Sequence, residues 1–109
     1  VAFGMKSSGK IEDLKENELY NAMSPLFKNA IGTLAYRGKW NLFDQMLLTQ
    51  PLVKKDSRGY RFLSAKVYNP SYLIRDEGQY KGYPLRTYGG DEYLGGYSDH
   101  LPVYLLLVK

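Results

Sequence analysis

The chain has 109 residues, a formal net charge of +4, 44% hydrophobic residues and 15% aromatic residues. This length allows a single small domain, and the apolar content argues against wholesale disorder. The absence of cysteine excludes a disulfide framework and a thiolate metal site. The positive charge mildly favours anionic partners such as phosphates, but the lysines and arginines are dispersed, so a surface charge that only keeps the chain soluble is the better explanation.

No targeting or membrane-spanning segment is expected from the residues present. The opening stretch VAFGMKSSGK has no basic region before an apolar run, and no run approaches eighteen apolar residues. Any targeting signal would precede residue 1, so the sequence leaves the cellular compartment open. Residue 1 is not methionine, and we expect the chain to be part of a longer protein.

The amino-terminal third predicts little regular structure. Residues 1–23 are polar and mixed, which is typical of a loose helix or a structured loop, and the first strand is expected only later. The stretch SPLFKNAIG is clearer, because Ser24 can cap a helix, Pro25 suits its first turn and Gly32 suits its exit. We therefore predict a short helix over about residues 25–31.

In the next segment the side-chain pattern changes to a repeat of two residues, which predicts a strand over residues 42–48. One face of this strand carries alternate residues from Leu42 to Leu48, and the other carries Phe43, Gln45 and Leu47. Because both faces are largely apolar, we expect the strand to lie between two layers. Asp44 is the exception on the first face, and a carboxylate expected to be buried normally has a partner.

The second half predicts two more strands. KKDSRG (54–59) is typical of a turn, YRFLSAKVY (60–68) of a strand and PVYLLLVK (102–109) of a final strand apolar enough to be central. Residues 75–96 form a long loop rich in glycine and tyrosine. Three strands with two apolar faces need more covering than one helix supplies, so the architecture looks incomplete.

The only histidine of the chain, His100, lies in the turn YLGGYSDHLPV, directly before the last strand. An isolated Ser-Asp-His can be a surface turn in which Ser98 and Asp99 bond to local backbone. It can equally bind metal, exchange protons or stabilise charge on a phosphate. The sheet rim suits a preorganised site, and Asp44 is a candidate carboxylate for orienting the imidazole.

Two motifs then resemble the endonuclease/exonuclease/phosphatase family of DNase I-like, metal-dependent phosphoesterases. SDHLPV is similar to the family's closing motif, and LFDQMLLT is similar to its strand with a buried aspartate. The longer stretches YRGKWNLFDQML and YKGYPLRTYGG…YLGGYSDHLPVY resemble a bacterial branch of that family. The resemblance covers residues from about 34 to 109.

The resemblance implies an α+β fold, namely the C-terminal part of a DNase I-like four-layer αββα sandwich. Residues 1–109 would be the C-terminal portion of one domain whose N-terminal portion is missing. The implied reaction is Mg²⁺-dependent hydrolysis of a phosphate ester by in-line attack of water, with Mn²⁺ as an alternative cation and nucleic acid or a small phosphoester as substrate. His100 would contact the scissile phosphate, Asp44 would orient His100, and Asp99 would serve the metal.

Several family features have no counterpart here. The family also uses an asparagine and a metal-binding glutamate from early strands and an Asp-x-Asn motif from mid-domain. Glu12, Glu16 and Glu18 lie in a polar segment without strand signals, and Asp99 alone is too few ligands for a magnesium site. We therefore expect this chain to be inactive alone and, with an open sheet edge and an uncovered apolar face, to self-associate.

Alternatives from the same residues remain open. GGDEY (89–93) resembles the GGDEF signature of diguanylate cyclases, but its position favours a simple hairpin turn. A non-catalytic module that stacks nucleic acid or carbohydrate is the other function class, although packing at the edge of a small core explains the same tyrosines. The residues of that stacking module would be Tyr72, Tyr80, Tyr83, Tyr88, Tyr93 and Tyr97, with Arg75, Lys81 and Arg86 among them.

Trp40 could line a pocket or belong to the core.

Overall fold

The computed structural model of the chain describes residues 4–6, 11–54 and 58–109, which form a mixed α+β structure. The strands within these residues are β1 Gly4–Lys6, β2 Glu18–Asn21, β3 Leu34–Tyr36, β4 Lys39–Asn41, β5 Leu47–Thr49, β6 Arg61–Val67, β7 Tyr88–Gly89, β8 Glu92–Tyr93 and β9 Val103–Val108. The α-helices are α1 Ser24–Lys28 and α2 Gln50–Val53, and single 3₁₀ turns lie at Ile11–Asp13 and Ser71–Leu73. The α+β class expected from the sequence is therefore confirmed.

The strands pair in four small groups. β1 and β2 are parallel, and β5 runs antiparallel to β2 on its other side. The remaining pairs are antiparallel ribbons: β3 with β4, β6 with β9 and β7 with β8. Among the described residues, no helix is long and apolar enough to cross a membrane.

The expectation for residues 1–23 was wrong, because β1 and β2 lie within this range. Glu18, which the sequence analysis left without a strand, is the first residue of β2. The pairing of Gly4 with Glu18 is parallel, so it depends on a connection of a dozen residues rather than on a local turn. Strands of three or four residues leave almost no period-two signal, which explains why the sequence did not predict them.

Helix α1 begins and ends earlier than predicted. Met23 occupies the N-cap position, so Ser24 lies inside the helix, while the proline in the first turn is as expected. The helix ends before Ala30, which adopts a left-handed backbone conformation with φ of 58°. Gly32 is not the exit residue; a Cβ atom there would lie 2.8 Å from the Asn41 carbonyl oxygen, so glycine permits close approach to β4.

The predicted strand over 42–48 is regular only at β5, but its period-two burial is confirmed. Leu42 and Leu48 are buried, whereas Phe43 is 63% exposed and Leu47 is 42% exposed. Among the described residues, one face of the segment is therefore solvent-exposed, and the expectation of a strand covered on both faces was wrong. Asp44 accordingly lies outside any regular strand and is only partly buried.

The two later strands are confirmed as β6 and β9. They pair from Arg61 with Val108 to Val67 with Val103, with an irregularity at Leu63. Among the described residues β9 pairs with β6 alone, and Leu106 and Leu107 are each more than 40% exposed, so the central position expected for β9 was wrong. Residues 55–57 of the predicted turn lie outside the described residues.

The apolar core forms where the β1–β2–β5 sheet meets α2 and the β6–β9 ribbon. Its buried members are Leu14, Tyr20, Ala22, Leu48 and Val53, with Phe62, Ala65 and Leu105 packed against them. Further buried side chains lie outside this cluster, and these are Met23, Thr33, Ala35, Leu42 and Leu101.

Candidate active site

The structure brings Asp44 and His100 together from 56 positions apart. His100 Nδ1 lies 2.8 Å from Asp44 Oδ2, a normal hydrogen-bond distance, and both side chains are roughly one-third exposed, at 37% and 36%. An ionised carboxylate can only accept, so Nδ1 must carry the proton of this bond. The other ring nitrogen, Nε2, then accepts a proton in neutral His100 or donates one in protonated His100.

His100 is held by the turn that precedes β9. Its backbone N–H donates to Ser98 Oγ at 3.0 Å, which is the local bonding that a plain surface turn would also show. The next residue, Leu101, is buried and donates its N–H to the Thr33 carbonyl oxygen at 2.8 Å. The ring of Phe43 lies 6.3 Å from the imidazole, centroid to centroid. The histidine is therefore anchored on its backbone and flanked by an aromatic ring.

The start of the same turn is anchored by Gly96. Thr87 Oγ1 donates to the Gly96 carbonyl oxygen at 2.9 Å, and the Gly96 N–H donates to the Arg86 carbonyl oxygen at 3.2 Å. A Cβ atom at position 96 would overlap the carbonyl oxygen of Leu85. Only glycine therefore lets segment 85–87 approach the turn this closely.

Asp44 is positioned by side-chain bonds that replace a strand ladder. Asn21 at the end of β2 donates its amide to Gln45 Oε1 at 2.6 Å, and Gln45 in turn donates to the Leu42 carbonyl oxygen. The Met46 carbonyl oxygen accepts the backbone N–H of the residue after Asn21 at 2.9 Å. Hydrogen bonds thus hold the residues on both sides of Asp44 in place, although the segment is not a strand.

The electrostatics of the pair favour an ionised Asp44. Partial burial by itself would raise the pKa of this carboxyl, but the Thr33 hydroxyl and the His100 imidazole lower it by more, so the net shift is downward. Asp44 therefore carries its negative charge throughout the neutral range and can hold the Nδ1 proton of His100. The sequence analysis expected the Asp44 carboxylate to have a partner, and in the structure that partner is His100.

The sequence analysis missed Thr33. This residue is 0% exposed and lies between α1 and β3, and its hydroxyl contributes to the lowered pKa of Asp44 although it forms no hydrogen bond of normal geometry. A single threonine after a glycine has no pattern that would mark it, and only the fold places it beside a carboxylate eleven residues later in the chain.

Asp99 is exposed beside His100 in the turn. Within the part of the chain that the structure describes, no group of three or more histidine, aspartate or glutamate side chains could hold a metal ion. Glu18, now known to be in a strand, accepts the backbone N–H of Lys15 at 2.9 Å and so closes a local turn. The described residues therefore do not form a complete magnesium site.

The other motifs have plain structural roles. GGDEY forms the β7–β8 hairpin, whose turn contains Gly90 at a φ of 62°, so the hairpin interpretation is confirmed. Four of the tyrosines that could form a stacking surface pack in pairs, Tyr80 with Tyr83 and Tyr88 with Tyr93, with ring centroids 5.6 and 5.4 Å apart. Trp40 packs against Tyr83 and lines a cavity.

Two concave surfaces are lined by sequence neighbours of the pair, but neither is lined by Asp44 or His100. The larger, of about 470 Å³, has Leu42, Gln45 and Lys28 in its wall. The smaller, of about 290 Å³, is lined by Trp40, Asn69 and Leu101, the residue after His100.

Comparison with known proteins gives one family. The sequence model described as Endonuclease/Exonuclease/phosphatase family matches residues 3–109, almost the whole chain. No curated protein and no solved structure gives a significant match.

Proposed function

Since the chain belongs to the endonuclease/exonuclease/phosphatase family, we propose that it serves the hydrolysis of phosphate esters, with His100 as the group that contacts the scissile phosphate. Enzymes of this family are typically hydrolases that act on phosphate esters such as nucleic acids. The observation that carries the proposal for this chain is the hydrogen bond between His100 Nδ1 and Asp44 Oδ2 at 2.8 Å. That bond leaves Nε2 free to face a substrate.

In the proposed reaction, water attacks phosphorus in line with the leaving oxygen, so one O–P bond forms as the other breaks, and one proton of the water is transferred through solvent to the leaving oxygen. Negative charge builds on the non-bridging oxygens and on the leaving oxygen. Protonated His100 donates Nε2–H to one non-bridging oxygen, and ionised Asp44 stabilises the imidazolium while keeping its ring oriented. A donor that is already aimed at the developing charge costs no reorganisation when the reaction occurs.

The family's enzymes generally depend on a divalent metal, and we propose Asp99 as the one oxygen ligand supplied by this turn. The described residues do not make a complete site, so the steps above involve protein groups alone. The remaining ligands, and the rest of a DNase I-like sandwich, are predicted to come from an N-terminal portion of the same domain. This chain would then be inactive by itself.

The test compares hydrolysis of a generic phosphodiester and a generic phosphomonoester, each with Mg²⁺, by three proteins: this chain, a form extended upstream of Val1, and the extended form with His100→Ala. We expect activity in the extended form and a loss of about 10²–10³-fold on substitution. Tyr60→Phe is the matched control, because Tyr60 contacts Lys109 at the far end of the β6–β9 ribbon. An extended form that is inert, or that ignores the loss of His100, would overturn the proposal.

The binding-module alternative keeps one observation in its favour, which is that Tyr93 and Tyr97 are 68% and 77% exposed. A module that stacks bases would bind single-stranded DNA as this chain alone, whereas a partial enzyme would not. Titration of the chain with a labelled oligonucleotide, followed by fluorescence anisotropy, separates the two. Binding that is lost with Tyr97→Ala and kept with His100→Ala would favour the module.

A further inference from the structure

The smaller of the two concave surfaces, a cleft of about 290 Å³, lies where several segments of the chain converge. Its wall is formed by the linker between α1 and β3, by β4, by the end of β6 and by the loop that follows β6, and it includes Leu101. Neither Asp44 nor His100 is among the described residues that line it. The chemistry proposed for the pair therefore gives this cleft no role.

The lining of the cleft is mainly apolar. Ile31, Val67 and Ile74 supply aliphatic side chains, and Trp40 supplies an indole ring that is 37% exposed. None of the described lining residues carries a charge. Since an unpaired charge is costly to bury in such surroundings, the cleft disfavours a phosphate or a carboxylate and favours a neutral, apolar group.

The size of the cleft suits a ligand of two fused rings. A cavity of about 150 Å³ lined by aliphatic and aromatic side chains holds one benzene ring, so about twice that volume accommodates two rings. Trp40 makes an edge contact with Tyr83, with ring centroids 6.2 Å apart and an interplanar angle of 62°. This contact fixes the indole and leaves it partly exposed, so a flat ligand has a rigid aromatic surface on which to pack.

Asn69 supplies the one carboxamide among the described lining residues. Its backbone is held from both sides, because the Tyr68 N–H donates to the Pro102 carbonyl oxygen at 2.8 Å and the Pro70 carbonyl oxygen accepts the Leu73 N–H at 3.0 Å. A carboxamide presents a donor and an acceptor side by side, which matches the N6 and N7 edge of adenine. A hydrocarbon ligand would leave both groups of this amide unused.

We propose that the cleft binds an uncharged two-ring heteroaromatic group of the purine type, which packs against Trp40 and places its donor–acceptor edge on the Asn69 amide. Any charged part of such a ligand stays outside the cleft in solvent. The site is additional to the phosphoesterase function proposed above and does not need His100. Leu101 in the wall directly follows His100, so a ligand in the cleft contacts the chain next to the imidazole.

Trp40 is the only tryptophan of the chain, so its fluorescence reports directly on the cleft. Titration of the chain with adenosine should change this emission until the site is saturated. We expect Asn69→Ala to weaken binding about tenfold or more, because the two-point contact between amide and adenine is lost. Gln79→Ala is the matched control, since Gln79 is an exposed amide in the following loop that does not line the cleft.

Inosine has an oxygen acceptor where adenosine has an amino donor, so it should bind more weakly than adenosine. This comparison uses the unaltered chain and does not depend on the folding of a variant. An emission that stays unchanged up to millimolar adenosine, or equal binding of adenosine and inosine, would overturn the proposal.

A second measurement locates the ligand. In ¹H–¹⁵N spectra of the labelled chain, adenosine should shift the indole N–H of Trp40 and the backbone amides of Asn69 and Leu101. Shifts centred instead on Tyr93 and Tyr97 would contradict the proposal. His100→Ala should bind adenosine as the unaltered chain does. An extended form that binds adenosine but hydrolyses no phosphate ester would overturn the proposed function while the purine site stands.

Discussion

At the scale of residues, the decisive feature is that a carboxylate and an imidazole meet at 2.8 Å with both side chains partly open to solvent. A structural ion pair of this exposure would contribute little to folding, because solvent screens it. The same geometry is well suited to chemistry, since it fixes which nitrogen of His100 faces outward. Ser98 anchors the backbone of the turn, because its oxygen accepts the His100 N–H.

Asp44→Asn tests the orienting role in an active extended form. The asparagine amide has no charge to stabilise the imidazolium and can present either its oxygen or its NH₂ group to Nδ1, so the ring orientation of His100 is no longer imposed. We expect kcat to fall by about 10²-fold or more, with a much smaller change in KM. Asp91→Asn in the β7–β8 hairpin is the matched control. Equal losses from both variants would contradict an orienting role for Asp44.

The lowered pKa of Asp44 also predicts how stability depends on pH. Partial burial opposes the shift, and the Thr33 hydroxyl and His100 produce it. Because the folded-state pKa lies below the unfolded-state value of about 3.9, the contribution to stability is complete above that value. It is lost as the pH falls through the folded-state pKa of Asp44.

Urea unfolding of the unaltered chain and of Asp44→Asn, measured from pH 7 to pH 3, checks this prediction. The unaltered chain should have the higher midpoint at neutral pH, and the difference should shrink as Asp44 becomes protonated. A difference in urea midpoint that stays constant from pH 7 to pH 3 would show that ionisation of Asp44 is not its source. The carboxyl is about one-third exposed, so the effect is expected to be small.

At the scale of elements, the site depends on segments that are not regular strands. Residues 42–46 are held by Gln45, which bonds to the end of β2 and to the Leu42 carbonyl oxygen. The turn before β9 is held by the close contact of Gly96 with segment 85–87. The Gln45 hydrogen bonds and the Gly96 contact both fix irregular backbone. Functional residues are commonly placed in this way on a rigid scaffold.

Gly96→Ala tests the contact between Gly96 and segment 85–87. The added methyl group would overlap the Leu85 carbonyl oxygen, so the turn must move or the chain must lose stability, by about 1–3 kcal/mol. Thermal unfolding and the His100 ¹⁵N signals measure both consequences. Gly59→Ala is the control, because a Cβ atom there meets nothing within 4 Å. A Gly96→Ala chain with unchanged stability and unchanged imidazole signals would show that the contact does not position His100.

At the scale of the whole molecule, the described chain is extended. Its principal extents are 50 × 26 × 25 Å and its radius of gyration is 16.8 Å, against about 13 Å for a compact domain of this length. Its accessible surface is 7901 Å², against about 6200 Å² for a compact monomer of the same mass. The β6–β9 ribbon exposes apolar side chains such as Leu63 at 58%.

This openness predicts self-association of the isolated chain. Light scattering after size-exclusion chromatography at micromolar concentrations should give masses above that of the monomer, because unpaired strand edges and apolar faces pair with their like. Leu63→Lys on β6 should shift the distribution toward monomer. Tyr93→Lys, at a 68% exposed position of the β7–β8 hairpin, is the control. A clean monomer for the unaltered chain would contradict the prediction.

The sequence by itself determined the features that depend on near neighbours. Apolar runs bounded by turn residues predicted β6 and β9, period two predicted the alternating burial around Asp44, and paired glycines predicted the β7–β8 hairpin. The two short motifs identified the family and selected Asp44 and His100, because the chemistry of those residues is carried by a few adjacent letters. Local conformation follows from local sterics and periodicity, so a single sequence is sufficient to predict it.

Only the tertiary structure decided which residues that are distant in sequence come into contact. The parallel pairing of β1 with β2, the exposed second face of residues 42–48 and the contact between Asp44 and His100 all depend on how distant segments pack. Thr33 has no pattern of its own, and its buried position beside Asp44 exists only because two remote segments bond to its backbone. Such contacts are set by the burial of the whole chain, which no window of sequence contains.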